Sequence, residues 1–125
     1  MTKIGIIRCE KNEHACPLTS CFKCLNSMEQ GFAGYDECEL AGVFTCRCPG
    51  DNVPELARIL KAKGAEAIHF PTCTFAHKRK DGWEMGRGLC PEMDALVQEA
   101  NEKSGLPCVK GTAHLPKGYI PYAVS

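Results

Sequence analysis

The sequence predicts an α/β fold built on a parallel sheet, and three observations predict it. Residues 3–9, 40–46 and 67–73 are short runs, apolar at most positions, as strands covered on both faces are. Between them lie segments whose apolar residues recur at helical spacing, bracketed by cap and stop residues. Strands alternating with helices imply parallel strands joined by right-handed crossovers.

The elements follow in order. The first strand covers about 3–9, and a polar loop runs from Glu10 to Ala15. A helix then opens at Cys16-Pro17, with Leu18, Cys21, Phe22, Leu25 and Met28 on one stripe and Gly31 as its stop. The second strand, about 39–46, leads through Arg47-Cys48-Pro49-Gly50 into a second helix. Asp51 or Asn52 caps it, Pro54 and Glu55 occupy its first turn, and Val53, Leu56, Ala57 and Leu60 form its stripe. The third strand spans about 66–73. Residues 74–89 read as a long glycine-rich loop, of the kind that is functional or mobile. Cys90-Pro91 opens the last helix, with Met93, Leu96, Val97 and Ala100 inward, and a short fourth strand, 107–112, reaches His114. The expected architecture is a three-layer, flavodoxin-like, four-stranded parallel sheet in the order 2-1-3-4.

At 125 residues the chain has the size of one domain, assigned here to 1–125. Fifteen Lys and Arg balance fifteen Asp and Glu, so no bulk field points to nucleic acid or an anionic membrane. No run approaches the roughly 18 apolar residues of a membrane span, and the first residues lack the pattern of a signal peptide. The expected location is therefore cytoplasmic. Thiols are kept reduced there, so ten cysteines point to metal or thiol chemistry rather than a disulfide scaffold.

Cys9, Cys46 and Cys73 each close a predicted strand, which brings them to one edge of a parallel sheet. That edge is where ligands bind in open α/β sheets. Cys48 follows closely, Cys90 precedes a helix, and Cys16 and Cys21 flank the first helical turn. Both Cys46-Arg-Cys48 and Cys90 are expected to gain thiolate character from a helix N-terminus. These seven cysteines exceed the four ligands of one zinc ion and suit iron–sulfur chemistry, in which about four thiolates hold each cluster. Iron–sulfur is the leading cofactor and zinc the alternative. Cys9, Cys46, Cys48 and Cys73 are the primary ligands expected, with Cys16, Cys21 and Cys90 completing the site or holding a second one. His114, beside the crevice, is the candidate auxiliary ligand, and Arg47 is placed to offset the negative charge of a cluster. A redox or metal-accepting protein is the partner such a role implies.

A rival reading makes Cys73 the nucleophile of a thiol-dependent redox enzyme. The run Cys73-Thr-Phe-Ala-His-Lys-Arg79 also fits the C-x5-R pattern of phosphatases and arsenate reductases, in a form without internal glycine. Plain roles cover the remainder. Cys24, Cys38 and Cys108 read as packing residues and His69 as a hydrogen-bonded core histidine. Trp83 reads as a lid or an anchor for its loop.

The chain resembles the CGGC domain family. The matching pieces are Arg8-Cys9, Cys16-Pro-Leu-Thr-Ser-Cys21-Phe22, Thr45-Cys46-Arg-Cys48-Pro49-Gly50, Ile68-His69 ahead of Cys73, Cys90-Pro91 and Gly111-Thr-Ala-His114. They keep the family's order from residue 3 to about 115. The resemblance implies a metal-binding domain, on the strength of the family's cysteines and histidines. Three departures stand out: Cys46-Arg-Cys48 is one residue shorter than the name-giving Cys-Gly-Gly-Cys, Glu92 stands where the family tends to have histidine, and 74–89 is extended.

Overall fold

A computed structural model describes the whole chain, Met1–Ser125. Its elements are β1 (Thr2–Cys9), α1 (Thr19–Ser27), β2 (Cys38–Cys46), α2 (Val53–Ala62), β3 (Ala67–Phe70), β4 (Ala76–Arg79), β5 (Gly82–Met85), α3 (Met93–Ser104), β6 (Cys108–Lys110) and β7 (Ala123–Val124). The main sheet has five strands in the order β2-β1-β3-β6-β7. Pairings β1–β2, β1–β3 and β3–β6 are parallel, whereas β7 joins β6 antiparallel. The α/β class with a mostly parallel sheet is what the sequence predicts. The four-stranded flavodoxin-like sheet is corrected to five strands with an antiparallel edge. A two-residue strand such as β7 leaves no periodic signal to read.

The alternation of side chains along β1 divides the core in two. Ile4 and Ile6 meet Leu18, Cys21, Leu25 and Phe32 beneath α1. Ile7 points the other way, into the larger cluster with Val53, Ala57 and Leu60 of α2 and Leu96, Val97 and Ala100 of α3. Gly5 lies on that same face because α2 comes close: a Cβ there would stand 2.9 Å from the Leu60 side chain.

Three boundaries move. The third strand ends at Phe70 rather than Cys73, because Pro71 has no N–H to extend the ladder. Thr72–Thr74 then form a short 3-10 turn. Helices α1 and α3 begin at Thr19 and Met93, each beyond the Cys-Pro pair expected to open it. The long loop is a hairpin: β4 and β5 pair antiparallel, with Arg79 opposite Gly82. Lys80 and Asp81 make its two-residue turn, and Gly82 (φ 129°) opens β5 directly after them. No helix is long and apolar enough to cross a membrane.

Gly31 ties the loop after α1 to the segment after β6. Its N–H donates to the Thr112 carbonyl at 2.8 Å. A Cβ at this position would stand 2.4 Å from the Gly111 carbonyl oxygen, which is backbone and cannot turn aside. Gly31→Ala is therefore expected to destabilise the fold by about 1–3 kcal/mol, as overpacking does. Urea unfolding checks this: the midpoint should fall while the slope stays the same.

Candidate metal centre

Two cavities at the carboxyl edge of the sheet collect the seven cysteines, one on each face. The first lies on the side of α2 and α3. Cys9 and Cys46 end β1 and β2 directly opposite each other in register. They line a cavity of about 200 Å³ together with Cys48, Cys90, Lys11 and Phe70. Cys9 and Cys46 are buried, Cys90 is half-buried and Cys48 stands exposed at the rim.

Local backbone turns build this cavity. After Cys9 the chain makes a 3-10 turn, and the Lys11 N–H donates to the Cys9 sulfur at 3.4 Å. The Lys11 ammonium reaches across to the Leu89 carbonyl at 2.7 Å, pulling in the segment that carries Cys90. That segment is also held to the turn around Cys73: Leu89 N–H donates to the Cys73 carbonyl and Cys90 N–H to that of Thr74, both at 2.9 Å. On the far side, Gly50 (φ 101°) closes the turn that presents Cys46 and Cys48, donating to the Arg47 carbonyl at 2.6 Å. A Cβ at Gly50 would stand 2.7 Å from the Leu96 side chain. The Cys48 N–H donates to the Glu10 carboxylate, and this contact holds the Glu10 carboxyl below its ordinary range.

The second cavity, about 290 Å³, lies on the side of α1 and is lined by Cys16, Cys21, Cys73, Trp83 and His114. Each cysteine has its own tether. The Arg8 guanidinium donates to the Cys16 carbonyl at 2.7 Å, Asn12 Nδ2 donates to the Cys73 sulfur at 3.3 Å, and the Cys21 sulfur lies 3.1 Å from Thr112 Oγ1. The expected primary set of Cys9, Cys46, Cys48 and Cys73 is thus divided: three members line the first cavity and Cys73 the second, while Cys90 lines the first.

All ten cysteines are free thiols. Burial pushes Cys46 up to about 11, aided by neighbouring Cys48, Cys90 and Cys9. Burial likewise pushes Cys73 up to about 11, against the Asn12 hydrogen bond. Cys21 is raised by burial, and Cys48 by desolvation and then by Glu10. The thiolate expected at Cys48 from a helix dipole is corrected, because α2 begins only at Val53 and the effect fades within a turn. No three Cys, His, Asp or Glu side chains meet at one point. The donor chemistry nevertheless fits a soft metal: four thiols around one cavity, where cation binding would displace their protons.

The auxiliary residues fall unevenly. His114 is exposed, lines the second cavity and stacks on Trp83, with ring centroids 5.3 Å apart and planes 8° from parallel. Arg47 turns to carboxylates instead of thiols, 2.7 Å from Glu13 and 3.6 Å from Glu10. His69 is a core histidine, fully buried between the Tyr35 hydroxyl at 2.9 Å and the Gly111 carbonyl at 2.8 Å. The nucleophile reading of Cys73 meets two obstacles. A reactive thiol needs a depressed pKa, and Arg79 pairs with Glu84 across the hairpin at 3.4 Å. Lys11 and Asn12 have positioning roles that no sequence signal marks; only the turn after β1 brings them to the sulfurs.

The family model described as CGGC domain matches residues 3–113. An uncharacterized protein of Methanocaldococcus jannaschii is 36% identical over 124 residues, covering 92% of this chain and 89% of that protein. No solved structure matches the chain.

Proposed function

The chain belongs to the CGGC domain family, and from that premise we propose that it is a metal-binding protein whose first cavity holds an iron–sulfur cluster. One observation carries the reading: Cys9, Cys46, Cys48 and Cys90 surround a single cavity at the carboxyl edge of a parallel sheet. Four thiolates are the usual complement of such a cluster. Cys9 and Cys46 would supply the buried side of the ligand set, with Cys48 and Cys90 closing it from the two loops. Lys11, with its N–H on the Cys9 sulfur and its ammonium beside the cavity, supplies a hydrogen bond and a positive charge to an anionic centre.

When bound, the group supplies one-electron chemistry. The exposed rim at Cys48 suits electron transfer, cluster delivery or redox sensing, with a redox or metal-accepting protein as partner.

Protein purified without oxygen is expected to contain iron and acid-labile sulfide in matching amounts and to absorb broadly in the visible. Stoichiometric zinc in colourless protein, or folded protein with neither metal, would overturn the cluster.

A further inference from the structure

The two edges of the main sheet are finished differently. One edge is β7, a strand of two residues that offers little backbone to a further strand. The other is β2, nine residues long and paired only with β1. An open edge of that length presents a row of unpaired N–H and C=O groups, and folds ordinarily blunt it with lysine, proline or a short strand. β2 has neither lysine nor proline, and Leu40 to Cys46 carry no charge. Leu40 and Val43 are 38% and 36% exposed on it. An extra residue, Ala41, bulges the pairing with β1, but Gly42–Cys46 then run in unbroken one-to-one register. The Thr45 carbonyl takes Asn52 Nδ2 at 3.3 Å and keeps a second lone pair.

The charges at the two ends of this strand select its occupant. Glu39 stands four residues before Val43 and Arg47 four after it, and both are exposed. Two copies of β2 laid antiparallel about a two-fold axis at Val43 therefore set each Glu39 opposite the partner's Arg47. Arg47 engages Glu13 and Glu10 through Nη1, so Nε and Nη2 are left to reach across. Along the seam Val43 meets its own copy, Gly42 faces Phe44 and Leu40 faces Cys46, with no like charges opposed. A parallel seam would set glutamate on glutamate and arginine on arginine. A head-to-tail seam of β2 on β7 would pair only two residues, so the contact closes as a dimer instead of growing into a filament.

We infer that the chain forms a two-fold dimer in which β2 pairs antiparallel with β2 of a second copy, joining two main sheets into one. The two first cavities then lie at opposite ends of the seam, because each opens beyond the carboxyl end of its own β2. The dimer does not require a cluster or any other metal.

Sedimentation equilibrium of full-length protein as purified, kept in reductant so that no disulfide joins the copies, is expected to give twice the mass of the chain. Val43→Lys sets two ammonium groups against each other at the axis and should give the mass of one chain at the same concentration. Val43 belongs to neither core cluster, and a far-UV circular dichroism spectrum matching the parent's shows that the variant has folded. Glu39→Lys, which sets a cation against the partner's Arg47, should raise the dissociation constant by about 10-fold, since two exposed ion pairs are lost at once. Parent protein at the mass of one chain, or a Val43→Lys protein that keeps the double mass, would overturn the dimer. A dissociation constant unchanged by Glu39→Lys would overturn its antiparallel register.

Discussion

Lowering the pH from 7 to 4 is expected to cost the fold about 3 kcal/mol through His69 alone. Burial is the main cause of the shift, pushing this imidazole from 6.5 down to about 4, against a smaller contribution from the Gly111 carbonyl. The neutral ring is wedged in the core, with Phe32 4.4 Å away between ring centroids. Its two nitrogens are already engaged by the Tyr35 hydroxyl and the Gly111 carbonyl. In the unfolded chain His69 binds a proton below about 6.5, whereas in the fold it resists until about 4. The unfolded state therefore binds more protons across that window, and stability falls as the pH drops through it. The contribution is fully present above 6.5 and gone below 4. Urea unfolding at stepped pH checks this. His69→Gln, which has no titratable ring, should show a flatter loss between 6.5 and 4 than the parent. Parallel curves for the two proteins would remove His69 as the cause.

Cys46→Ser is expected to abolish iron and sulfide incorporation, with metal affinity falling by more than about 100-fold. Substitution of a merely orienting residue already costs roughly 10–100-fold, and a direct ligand should exceed it. Cys46 is the residue to choose because it is buried at the end of β2, opposite Cys9 in register. Two companions make the result specific. Cys24→Ser, on the outer part of α1 and lining neither cavity, should retain full iron and sulfide. Cys73→Ser should also retain them, because Cys73 lines the other cavity. Iron content equally lost in Cys46→Ser and Cys73→Ser would mean that one centre draws on both cavities.

Much of the fold was legible in the sequence because burial leaves a period. The runs ending at Cys9 and Cys46 are strands, and the stripes of α2 and α3 face the core as their spacing predicts. Pro71, Leu18 and Lys80-Asp81 are where reading by hydrophobic run alone goes astray. Proline ends β3 three residues before Cys73, a left-handed Leu18 delays α1, and a tight turn folds a supposed loop into a hairpin. The donor residues were legible by chemistry, but their positioning partners Lys11 and Asn12 were not. Each is an ordinary polar residue whose role arises from a contact across the fold, to the Leu89 carbonyl and the Cys73 sulfur.

By itself the sequence determined the α/β class, the identity of the thiols and their concentration at one end of the strands, because strand period and strand length are local properties. Only the tertiary structure decided which thiols share a cavity. Cys9 and Cys46 sit in register on one side of the pleat, whereas Cys73, carried past Pro71 by a turn, joins Cys16 and Cys21 on the other. Grouping of that kind depends on strand register and on where a strand stops, and neither quantity exists until the strands pair.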